Sequence, residues 1–179
     1  MNNQILKKKE LEEIEKNYDP QLSFRKLGIR LEIIVSILLV LMSVYHFWAS
    51  GFGLVREVLH RGIHISFVLA LVFLLFGWNK KEDLNKTNQG YFYFQNIPIL
   101  DYIFAFLAVA SALYLPLLPS KELASIVGNP GSVDVFIGSI LIILTLEAAR
   151  RSVGSTLPII AIIFTLFALF GPLAPGALK

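Results

Sequence analysis

The chain has 179 residues, 55% of them apolar and only 16% charged, against roughly 25% charged in soluble domains. Its mean hydropathy is +0.66, and its charges are segregated, with seven of the sixteen Lys and Arg preceding Leu31. An ordinary soluble domain is excluded, and the fold class expected is an all-α polytopic membrane protein.

In chain order, residues 1–30 form a polar, basic arm. Within it Leu11, Ile14 and Tyr18 stand at helical spacing. Leu6–Tyr18 reads equally as a short amphipathic helix on the inner membrane surface or as a solvated helix. Asp19-Pro20 ends it, because the residue before a proline avoids helical geometry. Polar residues separate Lys7-Lys8-Lys9 from the first apolar run, unlike a cleaved signal, so the first span is expected to stay as an anchor.

Five apolar segments follow, and about 20 residues suffice to span a bilayer core of roughly 30 Å. They are Leu31–Trp48, Gly62–Trp78, Ile97–Leu118, Val133–Leu146 and Val153–Leu173. The fourth is short, reaching only about 21 Å as a helix. It is expected to continue through Glu147–Arg150, whose long side chains snorkel toward water; a re-entrant segment is the alternative. Tyr91–Phe94 are expected interfacial anchors in the loop Lys80–Phe94. Pro119-Ser120-Lys121-Glu122 reads as a loop. Asn129-Pro130-Gly131-Ser132 reads as a turn, with Ser132 the expected cap of the fourth span. With the N-terminus cytoplasmic, twelve Lys and Arg fall inside and four outside. That asymmetry is the one membrane insertion favours.

The charge-bearing positions inside or beside the spans are few. Asp101 lies early in the third span and suggests either an ion or proton site, or, more simply, a partner for a lysine or for Arg150 or Arg151. Glu147 and Arg151 stand four apart with the acid first, the favourable order for a helical ion pair. Gly154 and Pro158 point to close packing or a kink in the next helix. Asp101, Glu147, Arg150 and Arg151 are thus expected as structural or inter-subunit polar contacts.

His60 and His64 share a helix face, yet lack the glutamate and third ligand of a zinc motif, so interfacial hydrogen bonding is the better reading. His46, among Tyr45, Phe47 and Trp48, reads as part of an aromatic belt. No cofactor is expected. With no cysteine, disulfides and thiolate metal sites are excluded. No nucleophile elbow, phosphate loop or paired acids suggests an enzyme. The formal charge of +3 does not suggest a nucleic-acid partner either, since the basic residues flank membrane spans and no recognition motif is present.

Several motifs resemble the membrane component of TRAP transporters, and more narrowly the N-terminal part of the fused permeases that accompany TAXI-type solute-binding proteins. They are Tyr18-Asp19-Pro20 with Phe24-Arg25, Arg61–Leu69 with Val72–Leu75, and Ile99-Leu100-Asp101-Tyr102. Most specific is Leu146-Glu147-Ala148-Ala149-Arg150-Arg151-Ser152-Val153-Gly154, followed by Leu157–Ile160 and Phe170–Gly176. Trp78-Asn79, where a proline would be expected, and the polar Ser155-Thr156 depart from the pattern.

The resemblance implies a bacterial or archaeal inner-membrane protein with residues 31–151 as a four-helix small-subunit-like region. Residues 152–179 would lead toward a large permease domain that this chain lacks. The implied role is a scaffold that braces the transport domain during sodium-coupled uptake of an organic acid. The implied partners are that permease, an extracytoplasmic TAXI-type solute-binding protein and membrane lipid. Alternatives are the small subunit of a tripartite tricarboxylate transporter, a membrane-embedded enzyme, or a stand-alone assembly or sensor protein.

Overall fold

The computed structural model describes residues 24–25, 27–53, 55–78 and 92–170. The arm Leu6–Tyr18, Asp19-Pro20, most of the polar loop after Trp78, and Gly171–Lys179 lie outside the described residues. The rest is helical apart from one small hairpin. Its elements are α1 (Ile29–Phe52), α2 (Glu57–Leu75), β1 (Tyr93–Phe94), β2 (Ile97–Pro98), α3 (Ile99–Leu117), α4 (Ser120–Ile126), α5 (Ser132–Ser152) and α6 (Thr156–Phe170).

Among the described residues four helices, α1, α2, α3 and α5, are long and apolar enough to cross a membrane. At 1.5 Å per residue they reach from about 28 Å to about 36 Å. Their outward faces carry large exposed apolar side chains such as Ile33, Phe106, Phe136 and Ile143. Helices with such surfaces are stable in lipid because every backbone group is satisfied internally. The fourth apolar segment is one unbroken helix of 21 residues, which continues past Leu146 to Ser152. The fifth apolar segment contributes α6, 15 residues long; the end expected for it falls outside the described residues.

Helix α2 is the centre of the bundle. One face packs Leu69 and Phe73 against Ala105 and Ala108 of α3 and Leu144 and Ala148 of α5. The other packs Leu71 and Leu74 against Leu31 and Val35 of α1 and Ile97 of β2. Without a hydrophobic drive between helices in lipid, close approach of small residues has to supply the contact. Gly62 shows this: a Cβ there would run into the Pro116 ring and lie 3.1 Å from the Ala112 carbonyl oxygen of α3.

Four local expectations are corrected. Pro119-Ser120-Lys121-Glu122 opens the short helix α4 rather than a loop. Ser132 is the first helical residue of α5, not its cap; Gly131 holds that place and its N–H donates to Asp134 Oδ2 at 2.7 Å. Tyr93 and Phe94 pair with Pro98 and Ile97 in a hairpin. Gln95 and Asn96 turn it with φ of 52° and 69°, the left-handed pair that a two-residue hairpin loop requires. Gly154 neither packs closely nor kinks a helix: it lies between α5 and α6 at φ 108°, with nothing near its missing Cβ. Pro158 falls in the first turn of α6 and is buried there, where a ring in place of N–H costs little.

Candidate functional site

The polar residues of the bundle collect at its two ends. At one end three helix termini meet: the C-terminus of α2, the N-terminus of α3 and the C-terminus of α5. Helix N-termini favour anions and C-termini favour cations. Asp101 sits in the first turn of α3, and Arg150 and Arg151 in the last turn of α5. The acid and the arginines therefore each lie where the backbone field suits their sign.

Asp101 is only 3% exposed and is held by two arginines from distant parts of the chain. Arg25 Nη2 donates to Asp101 Oδ2 at 2.5 Å, and Arg151 Nη1 donates to Asp101 Oδ1 at 2.8 Å. Arg151 also donates through Nε to Glu147 Oε1 at 2.7 Å, the expected pair four residues apart. Arg150 grips the same glutamate with both Nε and Nη2, each at 2.8 Å. The end of α2 joins through the Phe76 carbonyl oxygen, which accepts from Arg25 at 3.0 Å.

The segment before α1 is fixed to the same place. The Arg25 N–H donates to the Leu75 carbonyl at 2.9 Å. The Phe24 and Phe76 rings meet edge to face with centroids 5.0 Å apart. Aromatic faces complete the enclosure. The Arg151 guanidinium carbon lies 5.1 Å from the Phe73 ring centroid, 5.3 Å from Trp78 and 5.7 Å from Phe104. Arg150 lies 4.6 Å above Trp78. Arg151 Nη2 is buried with no hydrogen-bond partner among the described residues. The surrounding π-faces attract the cation and offset part of that deficit.

All four residues singled out from sequence, Asp101, Glu147, Arg150 and Arg151, are thus brought into one network. Asp101 meets Arg151 but neither Arg150 nor a described lysine. Sequence reasoning missed Arg25, counted there only as one more positive charge of the arm, and Trp78. The one signal for Arg25 was its place in the Phe24-Arg25 motif. Chemically the network is a set of interlocked ion pairs. Each oxygen of Asp101 and Glu147 already accepts from an arginine, and such charge-assisted bonds are the strong ones.

The opposite end carries the histidines, with His46 on α1 and His60 and His64 on α2. His46 is bonded to His64 rather than serving only as an aromatic anchor. Among the described residues no group of three or more His, Asp or Glu is placed to hold a metal ion. Nearby, Arg56 Nη2 donates to the Pro116 carbonyl at 3.0 Å and ties the start of α2 to the end of α3. Tyr114 donates to Asp134 Oδ1 at 2.8 Å and ties α3 to α5.

The molecule is therefore an α-helical membrane bundle clasped at one end by an arginine–carboxylate network. Compared with protein-family models, with curated proteins and with solved structures, the chain matches none.

Proposed function

We propose that this chain is the scaffold region of a TRAP-type secondary transporter that takes up an organic acid with sodium. In this reading it lies in the inner membrane of a bacterium or archaeon with its N-terminus and the arginine–aspartate clasp on the cytoplasmic side. Helix α6 is the fifth span. A large permease domain packs on the bundle, and a TAXI-type extracytoplasmic binding protein delivers the substrate. One observation carries the reading: the motif residues Asp101, Glu147, Arg150 and Arg151 are spent on each other and on Arg25. A cluster in which every carboxylate oxygen is engaged by an arginine suits a brace between helix ends. The unpartnered apolar faces of α1 and α6 leave wide surfaces for a larger membrane partner.

The test is reconstitution of the many-helix permease encoded beside or in frame with this chain, with and without it, in vesicles carrying an inward sodium gradient. Uptake of a labelled organic acid is expected only when both parts are present. Full uptake by the permease without this chain would end the scaffold reading.

A further inference from the structure

The histidine end of the bundle has a property that the proposed transport role does not use. His46 Nδ1 lies 2.7 Å from the Met42 carbonyl oxygen. A carbonyl only accepts, so this nitrogen carries the proton. The other ring nitrogen, Nε2, lies 2.8 Å from His64 Nδ1. Two nitrogens at that distance share one proton between them. With both rings neutral, His64 donates and His46 accepts. One added proton is tolerated on either ring, because one nitrogen of the facing pair still offers a lone pair. A second added proton sets two N–H groups and two cations against each other, with ring centroids 4.9 Å apart.

The groups around this pair do little to offset that repulsion. Tyr45 of α1 bonds His60 of α2 at 3.2 Å, and the His60 ring centroid is 5.4 Å from that of His46. Glu57, the acid of this end of α2, is engaged by Arg61. Arg56 is turned to the carbonyls of Pro116 and Leu118. The titratable group of α3 at this end, Tyr114, is bonded to Asp134 of α5. Lys121 and Glu122 of α4 are exposed. A recess of about 350 Å³ opens at the α1–α2 turn, lined by Ala49, Ser50, Gly53, Val55, Glu57 and His60.

The buried residues of α1 are Leu31 and Val35, both near the arginine clasp. Midway along, an apolar cavity of about 270 Å³ lies between Leu38 of α1, Ile63 and Phe67 of α2, and Leu113 of α3. Beyond it, the four residues 53–56 tether α1 to α2 with some slack, and the His46–His64 and Tyr45–His60 bonds close the two helices on each other.

We propose that His46 and His64 form a proton-operated latch, which holds the far end of α1 on α2 while at most one ring is charged and releases it when both are. The inference stands whatever the transport role. The chain contains no cysteine, so spin labels can be placed through Phe47→Cys on α1 and Val58→Cys on α2, both exposed positions. Distances are read by double electron–electron resonance on the full chain in lipid nanodiscs at pH 8 and pH 5, a range that brackets imidazole titration. The mean distance is expected to lengthen by about 5 Å, the scale of one helix turn, at pH 5. In His64→Asn, which keeps a non-titrating hydrogen-bond group, the short distance is expected at both pH values. An unchanged distribution in the otherwise native chain, or the same lengthening in His64→Asn, would overturn the proposal.

Discussion

Replacing Asp101 with Asn tests the clasp directly. The substitution keeps size and shape but removes the charge that faces Arg25 at 2.5 Å and Arg151 at 2.8 Å. Arg151 retains Glu147 at 2.7 Å, whereas Arg25 loses its bond to this acid and keeps that to the Phe76 carbonyl. Removing one partner of a buried ion pair costs about 3–5 kcal/mol, because a charge remains buried without compensation. The surviving Glu147 contact and the amide oxygen of Asn place Asp101→Asn near the lower figure, about 3 kcal/mol. Total stability of a folded domain is of order 5–15 kcal/mol, so the effect is large.

Glu57→Gln is the internal control. Its pair with Arg61 has side chains 72% and 75% exposed, and such pairs contribute less than about 1 kcal/mol. Unfolding of the purified chain in mixed micelles, followed through the fluorescence of Trp78 beside the clasp, reads both variants. Adding Arg25→Gln to Asp101→Asn should recover part of the loss, since one of the two cations that faced the acid is then gone. An Asp101→Asn variant no less stable than Glu57→Gln would refute the view that this acid holds the helix ends together.

Two further substitutions probe the backbone. Gly62→Val places a side chain against the Pro116 ring and the Ala112 carbonyl; overpacking of this kind costs about 1–3 kcal/mol, and crosslinking between α2 and α3 should slow. Gly154→Ala meets no atom within 4 Å yet keeps φ at 108°, so a loss of about 1–3 kcal/mol in the same unfolding assay would come from the backbone alone.

The spans are readable from composition because length and apolarity are the whole requirement for crossing a bilayer. The extension of α5 past Leu146 was legible too, because Val133–Leu146 alone is too short to span and the long side chains of Glu147–Arg150 can snorkel toward water. What stayed hidden depends on the third dimension. Arg25 pairs with an acid 76 residues away, and no local pattern announces such a partner. Gln95-Asn96 lacks the glycine that usually marks a two-residue hairpin turn, so β1 and β2 were not visible. Pro119 reads as a helix breaker but here precedes α4 as its N-cap residue. His46 looked like one more interfacial ring because its partner, His64, lies across the helix pair.

The two ends of the bundle differ in the chemistry of their cations, and this difference sets where movement is possible. Arginine stays charged across physiological pH. Imidazole does not, since its charge changes within that range. Helix α1 spans both regimes. Its first turns are packed through Leu31 and Val35 beside the clasp, and its last turns are tied through His46 and Tyr45. A proton at the far end therefore acts away from the packed first turns of the helix. The double change His46→Glu with His64→Lys would substitute a fixed ion pair for the titrating one. The far end of α1 would then stay closed at pH 5 as it does at pH 8, and spin-label distances that still lengthened in acid would place the hinge somewhere other than this helix pair.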